Sequence, residues 1–231
     1  MMAYGWVATP LLPAVSKAYG TGGAKVVSDM ILKISKPVWA ALGIMLFGFL
    51  SCSKPLLVLY LGEEYAYLSR PLDIWLVALS VNLFLGPSGV GVMATGQTRP
   101  LAFITFFSCS VSVFVLWYLA PLLGLGAAVY SIVTYNVLQL ILYVVVLLPR
   151  LISGPVLSFF IKSYFPTLAT GLGSAFLARQ VSLWSGIENN LVVFVMNGMF
   201  FLISYLLITA LFVIPMSELK KIRAMVSRPE A

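Results

Sequence analysis

Long apolar runs divided by short polar breaks organise this chain. Six runs reach the roughly 20 residues that a helix needs to cross a bilayer. They lie at about 37–60, 72–96, 100–121, 126–149, 159–178 and 190–215. The opening stretch 1–16 is apolar but too short to cross alone, and it reads as the tail of a helix. Residues 17–36 differ in pattern. After Gly22-Gly23, Lys25, Asp29 and Lys33 recur at i, i+4 spacing, and Val26, Val27, Met30, Ile31 and Ile34 take the other face. That pattern predicts an amphipathic helix lying in the membrane interface.

The expected fold is therefore an all-α integral membrane protein, a multi-pass bundle of about six full crossings. It divides into a partial transmembrane helix (1–16), an amphipathic segment (17–36), a four-helix core (37–149), two further crossings (150–215) and a basic tail (216–231). Composition agrees. Of the 231 residues, 61% are hydrophobic and 9% charged, against about 25% charged in an average soluble domain.

The net charge of +7 changes the picture only through its placement. With 17–36 taken as inside, alternation puts the loops at 97–99 and 150–158 and the tail on the same side. Only Lys54, Arg70 and Arg179 of the 14 basic residues then fall outside. This asymmetry is the positive-inside pattern, so the expected location is the cytoplasmic membrane with a cytoplasmic C-terminus. It also accounts for the basic residues without nucleic acid as a partner.

Chemistry is sparse. There is no histidine, no catalytic triad and no phosphate-binding loop, so no enzyme activity, metal or cofactor is expected. Cys52 and Cys109 sit in apolar runs and read as small core residues. The outer loop carries Gly62, Glu63, Glu64 and Tyr65. The glutamates either favour the N-terminus of a helix beginning near Tyr65, or bind a cation or guard a mouth. In the second crossing Asn82 precedes Gly86 and Pro87, which predict a kink near 83–87. Such a kink either lines a wet path or is satisfied by a neighbouring helix. Asn136 and Gln139 share a face of the fourth crossing and suit either a polar substrate or helix–helix hydrogen bonds. Arg99 stands at the inner mouth, as a membrane anchor or as a partner for a pyrophosphate. In the run from 159, Thr167, Gly171 and Ala175, and Thr170, Ser174 and Ala178, form two rows of small residues suited to close helix approach.

Three stretches carry a resemblance. "TPLLPAVSKAYGTGGAKVV" has Pro13 and Ser16 ahead of a basic amphipathic segment. "LYLGEEYAYLSRPLDIW" holds Gly62, Glu63 and Tyr65 before a crossing that ends in Gly96-Gln97-x-Arg99. "LAPLLGLGAAVYSIVTY" carries Pro121, Gly124, Gly126, Ala127 and Ala128. In this order and spacing they resemble the Wzx-like polysaccharide flippases of the MOP (MATE-like) superfamily, over roughly residues 8–150. The resemblance implies a second lobe of a two-lobe transporter. Its substrate would be a lipid-linked sugar, flipped by alternating access through a cavity lined by Asn82, Asn136, Gln139 and Arg99. Partners would be membrane lipids, a separate N-terminal lobe or other glycan-assembly proteins. A MATE-type drug or cation antiporter and a non-transporting scaffold or degenerate half-transporter are the alternatives.

Overall fold

The computed structural model describes the backbone of residues 2–151, 161, 164–187 and 189–213. Side chains at 2–10, 24, 81–84 and 212–213 lie outside the description. Every element among the described residues is helical. Helix α1 (Met2–Ser51) is interrupted at Gly23, whose φ of 66° and ψ of −162° are non-helical. Then follow α2 (Ser53–Leu61), a 3-10 segment (Glu63–Leu68), α3 (Ser69–Ala94) and α4 (Thr98–Leu123). Helix α5 (Gly126–Leu151) contains one wide turn at Tyr143–Leu147. After it come α6 (Phe165–Ser185) and α7 (Asn190–Ile208).

Among the described residues four helices are long and apolar enough to cross a membrane: Lys25–Ser51, α4, α5 and Asn190–Leu211. Helix α3 makes a fifth if its two limbs, bent by 40° between Ser80 and Leu85, count as one span. Six full crossings are thus not confirmed among the described residues, and part of the run expected at 159–178 lies outside them. Helix α6 is not among the four, since its 21 residues include Arg179 and Gln180 as well as small and hydroxyl-bearing residues.

The corners follow from local chemistry. Gly62, Gly96, Gly124 and Gly186 all have positive φ, which a residue with a Cβ enters only at a cost. At the end of α3 the Gly96 amide donates to the Met93 carbonyl (3.1 Å) and the Gln97 amide to the Val92 carbonyl (3.1 Å). This is the Schellman arrangement that terminates a helix. Helix α7 starts where Asn189 Oδ1 accepts from the Leu191 and Val192 amides (3.0 and 3.4 Å), as an N-cap should.

The segment 17–36 is not a separate surface helix. Beyond Gly23 one helix runs unbroken past residue 36. Val27, Ile31, Ser35, Trp39, Gly43 and Phe47 form a single i, i+4 ridge, buried throughout. Val27 and Ile31 join Leu85, Val90, Val92 and Leu151 in one apolar cluster. A Cβ on Gly91 of α3 would run into Ile31 and Leu151. Val27 and Ile31, from the face that the sequence pattern assigned to the membrane, are therefore packed on α3, whereas Val26 of that face is exposed. Lys25, Asp29 and Lys33 are exposed and form no ion pair with one another.

Residues 85–92 of α3 are buried without exception. Pro87 lacks the amide that would bond the carbonyl four residues earlier, and the bend falls in the turn before it. Gly86 and Pro87 are thus buried.

Helix α6 packs between α1 and α7. Its buried residues are Thr167, Thr170, Gly171, Ser174, Ala175 and Ala178, the two small-residue rows of the sequence. Phe47, Ala175, Ala178, Phe201 and Tyr205 share a second apolar cluster. Tyr205 donates from its hydroxyl to the Ala40 carbonyl (3.0 Å), which ties α7 to α1.

Helix α4 lies mainly on α5. Ser112 and Ser131 face each other (Oγ···Oγ 2.8 Å), and each hydroxyl also reaches the other's carbonyl at 2.9 Å. Replacing both serines by alanine removes donors and acceptors together, so little is left unsatisfied. The double variant is expected to lose only about 0.6 kcal/mol, the average for interhelical hydrogen bonds in membranes, in unfolding measured in mixed micelles. Of the cysteines, Cys52 is buried as expected, whereas Cys109 is exposed on α4.

Candidate functional site

Charge enters the bundle where α1 ends. Cys52 leaves the helical conformation (φ −112°, ψ 11°), so the last carbonyls of α1 lose their intrahelical partners. Two neighbouring helices supply donors. Arg179, near the end of α6, donates from Nη2 to the Leu50 carbonyl. Asn197 of α7 donates from Nδ2 to the Ser51 carbonyl (3.2 Å). The Cys52 thiol adds a long contact to the Phe194 carbonyl (3.5 Å). A cation also suits the negative end of a helix dipole.

Arg179 meets a carboxylate in the same place. Nη1 donates to Asp73 Oδ2 and Nη2 to Asp73 Oδ1, both at 2.7 Å. Ser53 completes the group: it accepts from Nη2 (2.7 Å) and donates to Asp73 Oδ1 (2.6 Å). The two-pronged geometry is the strong form of an arginine–carboxylate pair. It joins α1, α2, α3 and α6 at one point. Among the described residues this is the one ion pair.

A cavity of about 560 Å³ opens beside the pair. Its polar lining comprises Ser51, Ser53, Lys54, Glu63, Asp73, Arg179, Asn190 and Asn197, and its apolar lining includes Val58, Leu183 and Ile187. The volume falls within the usual range of ligand sites, about 300–1,000 Å³.

The described substrate-cavity candidates of the sequence, Asn136, Gln139 and Arg99, occupy other places. Asn136 is buried in α5. Gln139 reaches Thr105 of α4 with its Nε2 (3.5 Å) and hydrogen-bonds Tyr135 on its own helix. Gln139 is thus engaged in helix–helix contact, one of the two roles the sequence allowed. Arg99 is exposed in the first turn of α4. The side chain of Asn82 lies outside the described residues, as do Lys162, the segment 152–160 and the tail 216–231. Neither Asn136, Gln139 nor Arg99 lines the cavity.

Of the outer-loop motif, Gly62 turns the corner with φ 105°, and Glu63 and Glu64 fill the first turn of the 3-10 segment. The helical structure starts at Glu63, two residues before Tyr65, and no side-chain cap hydrogen bond is formed there. Glu63 faces the cavity. Among the described residues no group of three or more His, Cys, Asp or Glu could hold a metal ion.

Asp73 and Arg179 were visible in the sequence only as two charges near helix ends on one side. Both stand inside apolar surroundings ("PLDIW", "FLARQ"), where an ionised group needs a partner. That signal marks each as a member of some pair. It does not say which pair.

Comparison of the chain with protein families, with curated proteins and with solved structures finds no match in any of them.

Proposed function

We propose that the chain is an integral membrane protein forming one lobe of a transporter for lipid-linked oligosaccharide or polysaccharide precursors. Alternating access would come from rocking of two lobes about a shared path. The observation that carries this reading is where the resembling motifs fall. Gly62, Gly96 and Gly124 stand in order at successive helix corners, with φ of 105°, 73° and 53°. Ala127, from the third motif, is fully buried at the start of α5. Motifs read as a series thus occupy equivalent structural places. The basic residues support the cytoplasmic membrane as the location, with 17–36 and the C-terminus in the cytosol.

The cation-coupled alternative is disfavoured by Asp73. It is the acidic residue nearest the middle of a crossing expected from sequence, and its carboxylate is committed to Arg179.

The test is complementation. In cells lacking their own flippase for a surface glycan, the chain would be produced alone and together with a first lobe of the resembling family. Glycan is expected to return in at least one arrangement. No glycan in either, with the protein present in the membrane, overturns the reading. Proton-gradient-dependent drug efflux in the same cells would favour the antiporter.

A further inference from the structure

The Asp73–Arg179 pair accounts for only part of its cavity. Two further charges of opposite sign, Lys54 and Glu63, line the same space. Both are exposed, and neither enters an ion pair among the described residues. Asn197 adds an unmet requirement. It is 2% exposed, its Nδ2 is taken by the Ser51 carbonyl, and its buried Oδ1 has no donor. Native structures rarely leave such an oxygen unpaired. The cavity thus offers one uncommitted cation and one uncommitted anion, with the unpaired Asn197 oxygen buried in its wall.

The surroundings fix the depth. Tyr60, Tyr65, Tyr67 and Trp184 are exposed on the elements that form the cavity wall, and Tyr60 and Trp184 are 84% exposed. Tyrosine and tryptophan on the outside of an apolar helical bundle gather at the level of lipid headgroups, where the ring is apolar on one side and wet on the other. Val58, Leu183 and Ile187 make part of the wall apolar.

We propose that this cavity binds the headgroup of a zwitterionic aminophospholipid. The phosphate meets Lys54. The primary ammonium donates to Glu63, and the glycerol end leaves along the apolar wall. Charge selects the class: the lining holds Lys54 and Arg179 against Glu63 and Asp73, so its net charge is zero. An anionic headgroup would leave Glu63 unpaired and repelled. Donor count selects the amine, because a choline nitrogen has no N–H to give the Glu63 carboxylate. The proposal stands independently of the transport reading.

The full-length chain, purified in non-ionic detergent and stripped of lipid, is titrated with phosphatidylethanolamine, phosphatidylcholine and phosphatidylglycerol of identical acyl chains. Bound lipid is counted by native mass spectrometry. Phosphatidylethanolamine is expected to bind about tenfold more tightly than the other two, the factor that one charge-assisted hydrogen bond provides. Glu63→Gln is expected to abolish that preference and raise retention of phosphatidylglycerol. Lys54→Gln is expected to weaken binding of all three lipids, since each carries the phosphate that Lys54 meets. Both positions are exposed, so the fold is not at risk. Equal retention of all three lipids, or a preference unchanged in both variants, overturns the proposal. Displacement by soluble phosphoethanolamine at equal concentration also overturns it, since the free zwitterion rather than the lipid would then be the ligand.

Discussion

Arg179→Ala is expected to destabilise the protein by about 2–3 kcal/mol, among the largest effects of any single polar substitution in the bundle. Three losses combine. Asp73 is left with a carboxylate facing an apolar crossing, Ser53 loses a donor, and the Leu50 carbonyl loses its cap. The magnitude stays below the roughly 3–5 kcal/mol of a fully buried broken pair, because the side chains of Arg179 and Asp73 remain 34% and 26% exposed and water screens them.

Asp73→Ala alone should cost about as much, since it strands the guanidinium instead. The double variant should then be more stable than the sum of the two singles predicts, by about 1–2 kcal/mol of coupling. Arg179→Lys should fall between wild type and alanine, because a point-charge ammonium cannot reproduce the planar fork that meets both carboxylate oxygens and the helix end. Detergent-driven unfolding in mixed micelles reads all four variants on one scale. Additivity of the two alanine substitutions would show that the contact contributes nothing as a pair.

The second large effect is steric. Gly171→Ala is expected to cost about 1–3 kcal/mol, the usual range for overpacking a filled core, whereas Gly173→Ala should be neutral or slightly stabilising. The two glycines lie two residues apart on α6. A Cβ on Gly171 would enter the ring of Phe47, while nothing lies within 4 Å of a Cβ on Gly173. Phe47 is 1% exposed and sits inside the second apolar cluster, so its ring has little room to retreat. At Gly173 only the helix propensity changes, and alanine is the better helix former. A Phe47→Leu substitution should relieve the Gly171→Ala variant in part, as the side chain that occupies the space becomes smaller. Equal costs at 171 and 173 would mean that α6 does not approach α1 as closely as described.

These predictions divide in how far they could be read from the chain. The Gly171 result was half legible. The rows Thr167–Gly171–Ala175 and Thr170–Ser174–Ala178 identify a face made for close approach, because helix periodicity places residues four apart on one side. Phe47 as the occupant of that face was not legible, since nothing local links residue 47 to residue 171. The Arg179 result was less legible still. The bonded partners of its guanidinium stand at Leu50, Ser53 and Asp73, more than a hundred residues earlier.

The segment 25–36 shows how a local pattern misleads. Charges at Lys25, Asp29 and Lys33 give one polar face, and Val27 and Ile31 lie opposite, so the isolated stretch is amphipathic. A membrane surface and a neighbouring helix both cover an apolar face equally well. Gly91 decides in favour of the helix, because a residue without a Cβ lets α1 and α3 approach until Ile31 fills the space.

What the sequence alone determined was local: helices throughout, turns at Gly62, Gly96 and Gly124, the bend before Pro87 and the small-residue face of α6. Each depends on dihedral preference or on a period of a few residues, and such terms act over short stretches of chain. The tertiary structure alone decided which helix covers which face, that α6 and α7 cap the open end of α1, and that Asp73 belongs to Arg179. Those outcomes depend on burial and ion pairing between residues far apart in the chain, where several partners satisfy the same local pattern and only the packed bundle selects one.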